Sequence, residues 1–142
     1  MDSLTYGFIG LGLIGGSIAK AIKNADNNSR IMAYTPHHET VDKAHDEGTI
    51  DLPLYEIGPE FSDCNFIFLC APVELNNENL KALLPYLSAK TTVTDIGSVK
   101  SSIHQVVKEL GLESQFIGGH PMAGTERIGY SNSKPGILEN AY

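Results

Sequence analysis

Gly10-Leu11-Gly12-Leu13-Ile14-Gly15 stands between a short apolar run, Tyr6 to Ile9, and a segment where Ile14, Ile18 and Ile22 recur at helical spacing. The run predicts a buried strand, and the recurrence predicts a helix from about Ile14 to Asn24. Glycines at the first, third and sixth positions of such a junction give the G-x-G-x-x-G pattern. Gly10 permits the tight turn, Gly12 lets backbone approach a pyrophosphate, and Gly15 lets helix and strand pack closely. The helix start then offers free N–H groups and the positive end of its dipole to phosphate. The backbone of Gly10, Gly12, Leu13, Ile14 and Gly15 is therefore a candidate dinucleotide cradle. The bland alternative is a tight turn and nothing more.

Working outward, Ile31 to Tyr34 predicts a second strand and Glu39 to Glu47 a helix stopped by Gly48. Leu52 to Phe61 reads as irregular, punctuated by Pro53, Gly58 and Pro59. Asn65 to Ala71 is a strand whose consecutive apolar residues require both faces to be covered. Leu80, Leu83, Leu84 and Leu87 follow at helical spacing, with Pro85 ending or kinking the helix. Thr92 to Thr94 is a further strand. Val99, Ile103, Val106, Val107 and Leu110 form one helical stripe ending at Gly111, and Phe116-Ile117 is a last short strand. After Gly119 the chain reads as loop. Alternating strands and helices call for an α/β, Rossmann-type doubly wound sheet, mainly parallel, with helices on both faces.

The length of 142 residues suits one domain, residues 1–142. A net charge of −7 argues against nucleic acid or an anionic membrane as partner, while a local nest of N–H groups still admits phosphate. Cys64 and Cys70 lack metal-ligand or redox-pair spacing and read as buried free thiols of a reducing compartment. No basic leader or long apolar span is present, so a cytoplasmic protein is expected. His37, His38, His45 and His104 read as unremarkable, and no metal site is expected.

In open parallel sheets ligands lie beyond the carboxyl ends of the strands. After the second strand, an acidic residue would bond the ribose 2′-OH of NAD. Thr35, Pro36, His37 and His38 stand there instead. This leans slightly towards NADP or towards acceptance of both cofactors, without an arginine to clamp a 2′-phosphate. Three polar segments should face the nicotinamide end. They are Ala71-Pro72-Val73-Glu74, Asp95-Ile96-Gly97-Ser98-Val99-Lys100, and Gly118-Gly119-His120-Pro121-Met122-Ala123-Gly124-Thr125-Glu126.

A neutral imidazole at His120 could take a hydroxyl proton as hydride leaves the same carbon, or could simply bond its own loop. Ser98 could contact the reacting hydroxyl or N-cap the following helix. Lys100 could attract a carboxylate or stay solvated. Asp95 reads as ordering its loop, and Thr125 and Glu126 read from the residues alone as surface.

Together these segments, with Gly16-Ser17 and Phe68-Leu69-Cys70-Ala71-Pro72-Val73, resemble the prephenate dehydrogenase family along essentially the whole chain. The resemblance implies an NAD- or NADP-dependent oxidative decarboxylation of prephenate to 4-hydroxyphenylpyruvate in tyrosine biosynthesis, with arogenate as a close substrate variant. It implies that His120 withdraws the hydroxyl proton and that Ser98 bonds that hydroxyl and orients the nicotinamide. Thr125 and Glu126 would line the substrate pocket, and Thr35, Ala71, Pro72 and Ser98 would border the cofactor. Family members also carry a helical second domain that dimerises and completes the pocket. Since this chain stops at Tyr142, it is expected to be a truncated cofactor domain, weakly active or inactive alone, from a homodimeric protein. The rivals are a β-hydroxyacid dehydrogenase on the same scaffold and a non-catalytic dinucleotide-binding module.

Overall fold

Side chains along a strand point alternately to opposite faces, and the first strand shows what that requires here. In β1 (Thr5–Ile9), Phe8 packs into one apolar cluster and Ile9 into another, both fully buried. Both faces of the sheet must therefore be covered. The computed structural model, which describes residues 3–96 and 101–118, does this with four helices: α1 (Leu13–Ala25), α2 (His38–Asp46), α3 (Val73–Leu83) and α4 (Ser101–Glu109). Ala19 of α1 and Val41 and Ala44 of α2 join Phe8, Ile31 and Ala33 on one side. Leu80 and Leu83 of α3 and Ile103, Val106 and Val107 of α4 join Ile9, Met32, Ile67 and Leu69 on the other.

The remaining strands are β2 (Arg30–Tyr34), β3 (Leu52–Leu54), β4 (Phe66–Leu69), β5 (Thr92–Asp95) and β6 (Phe116–Gly118). Their order is β3-β2-β1-β4-β5-β6, and every neighbouring pair is parallel. This is the doubly wound architecture expected from the sequence. The chain winds from β1 out to β3, then returns to place β4 on the opposite side of β1. The direction of winding thus reverses between β1 and β4, and a crevice opens at their carboxyl ends. Across that boundary Phe8 stacks on Phe68, with ring centroids 4.9 Å apart, and Tyr6 stacks on Phe66 at 5.7 Å. These cross-strand ring pairs add to the ladder that holds the two halves together.

Two stretches differ from the sequence reading. Leu52 to Phe61 is not wholly irregular: Leu52–Leu54 pairs with Met32–Tyr34 as the edge strand β3. Pro53 hid it, yet an edge strand tolerates a residue that cannot donate to the ladder. Pro59–Asp63 then forms a 3₁₀ turn that carries Phe61, fully buried, against Gly7 of β1. A Cβ at Gly7 would stand 2.8 Å from Cys64 Sγ and 2.9 Å from Phe61 Cδ1, so only glycine fits beneath that ring. Pro85 acts as foreseen, ending α3 at Leu83 and opening a short 3₁₀ turn, Leu84–Tyr86. The segment after Gly119 and the start of the stripe at Val99 lie outside the described residues.

The cysteines separate. Cys64 is buried, whereas Cys70, which follows β4, is partly exposed as a residue while its sulfur is enclosed beneath Gly15. Burial, with the Asp63 charge adding and Arg30 opposing, pushes the Cys64 thiol from its ordinary 9.0 up to about 12. A raised thiol pKa means the folded state keeps a proton that the unfolded state sheds. Its stabilising contribution is complete below pH 9 and is lost as pH rises towards 12. We expect Cys64 to resist a disulfide reagent such as DTNB at pH 8 in the folded protein and to react promptly once urea unfolds it. Fast labelling of Cys64 in the native protein would contradict the burial described here.

Candidate cofactor site

Gly10 follows β1 directly and is held from two sides. Its N–H donates to the Tyr34 carbonyl at the end of β2 (2.8 Å). Its φ is +96°, a conformation that side chains rarely adopt, and a Cβ there would stand 2.5 Å from the backbone nitrogen of Ala71. Beside it, the Cys70 N–H donates to the Ile9 carbonyl (2.8 Å). The chain leaving β4 is thus pressed against the turn leaving β1. Gly15, one turn into α1, closes the same contact: its Cβ would stand 2.9 Å from Cys70 Cβ and 3.1 Å from the Gly10 carbonyl. Gly10 and Gly15 are therefore needed for packing.

Gly12 is different. It has an ordinary φ of −88°, and a Cβ there would meet nothing within 4 Å. Packing does not require glycine at this position. What a side chain would fill is the open space before the first turn of α1. That turn carries no acidic residue, and no side chain caps it. By contrast, α2 and α3 carry Glu39 and Glu74 in their first turns. Among the described residues nothing pairs with the donors at the start of α1, in a chain of net charge −7. The residues present therefore fit a bound pyrophosphate, with the backbone of Gly12, Leu13, Ile14 and Gly15 as the cradle.

Other strand ends border the same crevice. Thr35 follows Tyr34 and is buried. Ala71 and Pro72 follow β4, and the Pro72 carbonyl accepts from Leu75 and Asn76 to start α3. Asp95 ends β5 fully buried, in register with Leu69 and Gly118. Burial foremost, then the nearby Asp95 charge, pushes the Cys70 thiol upward, so that sulfur is a packing group and a poor nucleophile. The sequence reading missed both Cys70 as the surface on which Gly15 packs and Tyr34 as the acceptor fixing Gly10. Neither can be seen without the pairing of β1 with its two neighbours.

His37 and His38 are exposed, and His38 packs against Tyr55 with ring centroids 4.7 Å apart. Tyr55 donates to Asp42 (2.5 Å), and that bond raises its hydroxyl pKa. His104 is exposed on α4, edge-on to Phe116. Ser98, Lys100, His120, Thr125 and Glu126 lie outside the described residues; the described chain stops at Ile96 and Gly118, just short of Ser98 and His120.

Sheet order, glycine cradle and crevice define a dinucleotide-binding domain of the Rossmann class. Comparison with known proteins narrows this. A profile of the prephenate dehydrogenase nucleotide-binding domain matches residues 18–142, and the chain belongs to that family. It is 36% identical to a prephenate dehydrogenase of Lactococcus lactis subsp. cremoris over 137 residues, covering 94% of this chain and 38% of that protein. Among solved structures it resembles an A. aeolicus prephenate dehydrogenase in complex with hydroxyphenyl propionate and NAD+. That match has 33% identity and a TM-score of 0.90, covering 99% of this chain and 49% of the other. It also resembles a Synechocystis arogenate dehydrogenase, with 33% identity and a TM-score of 0.88, covering 97% and 48%. The chain thus spans less than half the length of these relatives. No helix among the described residues is long and apolar enough to cross a membrane.

The contrast between Gly10 and Gly12 is testable. Gly12→Val should lower the melting temperature less than Gly10→Ala does, because a Cβ at Gly12 meets nothing within 4 Å. It should weaken dinucleotide binding about 100-fold or more, since on the order of two charge-assisted hydrogen bonds at about 1.5–3 kcal/mol each are lost. Gly10→Ala should destabilise the fold by about 2 kcal/mol or more, from its positive φ and the clash with Ala71. Thermal melts and calorimetric titration of the two variants check both.

Proposed function

We propose that this domain holds NAD(H) or NADP(H) as the cofactor half of an enzyme that oxidatively decarboxylates prephenate. The observation that carries this is the open space at Gly12 before an uncapped, acid-free helix start, in a chain of the prephenate dehydrogenase family. Gly10, Gly12, Leu13, Ile14 and Gly15 hold the pyrophosphate by backbone N–H groups. Thr35 borders the adenosine ribose, and Ala71, Pro72 and Ser98 border the nicotinamide half. When bound, the nicotinamide supplies the hydride acceptor.

The protein's own part is placement and proton acceptance. In this reading Ser98 bonds the reacting hydroxyl and His120, as a neutral imidazole, takes its proton. Thr125 and Glu126 line the substrate pocket. The ring carbon bearing that hydroxyl loses hydride, carbon dioxide leaves from the opposite ring carbon, and the electron pair released makes the ring aromatic. Aromatisation drives the step, so no strong base is required. A helical second domain, of the kind the longer relatives have room for, supplies further substrate contacts and the dimer. A cytoplasmic location accords with this role.

Arogenate is the second reading, favoured by the likeness to the Synechocystis arogenate dehydrogenase. It differs in one group remote from the reacting carbon, an amino in place of a keto group, and needs no change in the roles of Ser98 and His120.

His120→Asn in the full-length protein should lower substrate-dependent nicotinamide reduction on the order of 10²–10⁴-fold, the scale of a lost general base, while dinucleotide binding persists. Assaying each substrate with each cofactor also separates prephenate from arogenate. Turnover at the unsubstituted rate with Asn at 120 would contradict the proposed role.

A further inference from the structure

An asparagine amide is enclosed on α3, on a helix face that is otherwise apolar. The Pro72 carbonyl accepts from the N–H groups of Leu75 and Asn76 and so starts the helix soon after β4. Asn76 stands one turn before Leu80 and two before Leu83, so the three share a face. Leu80 and Leu83 belong to the core beneath α3 and α4, with Leu69 of β4, Val93 of β5 and Ile103 of α4. Asn76 is buried nearly as deeply, at 2% exposed. It continues that stripe towards the carboxyl ends of the strands, where Leu69 and Asp95 stand in register. Its Oδ1 is enclosed, and no group among the described residues donates to it. Oδ1 of Asn77, the next residue, is likewise enclosed and unpaired.

An enclosed amide oxygen without a donor is rare in a native fold and costs it stability. Leucine, of like shape, would suit this face of α3 better. The asparagine therefore calls for a donor that arrives with a ligand. The inference rests on the cofactor reading above, which sets the nicotinamide half beside Ala71, Pro72 and Ser98. Two kinds of group on that half can donate, the ribose hydroxyls and the carboxamide NH2. The stripe that Asn76 ends is apolar, which suits the flat ring better than a sugar with its hydroxyls. The carboxamide N–H groups match an asparagine oxygen, which is an acceptor only.

We propose that Asn76 is a cofactor-binding residue whose Oδ1 accepts an N–H of the nicotinamide carboxamide. That bond fixes the rotation of the ring about its link to the ribose, and with it the ring face presented to the substrate.

The test is calorimetric titration of NAD+, its 3-acetylpyridine analogue and ADP-ribose into the chain and into Asn76→Leu, with thermal melts of both empty proteins. The analogue carries a methyl in place of the amide NH2 and cannot donate, and ADP-ribose lacks the ring. The unsubstituted chain should bind NAD+ about tenfold or more tighter than the analogue, the effect of one modest polar contact. Asn76→Leu should bring the two within about threefold of each other and leave ADP-ribose affinity in place. The empty Asn76→Leu protein should melt about 2–6 °C higher, because an unpaired buried oxygen has gone. Asn76→Ala, which adds no bulk, should show the same binding pattern if the leucine does not fit. A preference for NAD+ that survives both substitutions overturns the proposal, the oxygen then being satisfied by water. Equal weakening of ADP-ribose overturns it in favour of a ribose contact. A lower melting temperature for Asn76→Leu also overturns it, as the mark of an amide paired within the fold. In these three cases the cradle still binds dinucleotide and the cofactor reading stands. Failure of the unsubstituted chain to bind either NAD+ or ADP-ribose overturns both this proposal and the cofactor reading beneath it.

Discussion

The closeness of the chains leaving β1 and β4 sets the rest of the site. A single added carbon at Gly10 would come within 2.5 Å of the Ala71 backbone, and one at Gly15 within 2.9 Å of Cys70. Main chain meets main chain there because side chains are excluded. That contact seats α1 so that its first turn opens onto the crevice between the two halves of the sheet. The donors at that helix start are fixed in direction before any ligand arrives, so little ordering remains to oppose binding. A few missing methyl groups are thus the physical source of the binding geometry.

Charge adds a second layer. The chain is acidic overall, with 17 acidic residues against 10 basic ones, and its own field disfavours anions. The cradle works within that field because it is built from backbone dipoles and because acid is kept from the first turn of α1. Attraction to phosphate is local, short in range and directional. Lys23, the basic residue in the last turn of α1, is bound to Asp51 (2.7 Å) at the far end of that helix, where it supports the fold and takes no part in the cradle.

Much of this was legible from residue order. The glycine pattern lay between a strand and a helix, and the alternation of elements called for parallel strands with covered faces. Isoleucine and leucine spacing placed α1, and α4 where it is described, to within a few residues, and with Pro85 it marked the end of α3, whose start at Val73 it did not give. Legibility failed where tertiary contact outweighs local preference. Pro53 argued against a strand, yet β3 forms because β2 offers it an edge that needs no donor at that residue. Cys70 read as a buried free thiol, which its enclosed sulfur bears out, but its place as the surface under Gly15 could not be seen from residue order. Thr35 was recognised as an uncharged substitute for an acid, but the return of its hydroxyl to His37 depends on the turn's conformation, which composition does not reveal. The chemistry assigned to Ser98 and His120 comes from motif and family, with β5 and β6 supplying the ends from which those segments depart.

The central claim is that the backbone of residues 12–15 grips a diphosphate. Amide chemical-shift mapping with ADP-ribose, which carries the diphosphate without a nicotinamide, tests it most directly. The account requires the largest shifts at the amides of Gly12 to Gly16 and at Ala71, with little change at Thr5, Arg30 and Thr92 at the opposite ends of the strands. Shifts centred on those opposite ends, or none at the start of α1 at saturating ligand, would contradict it.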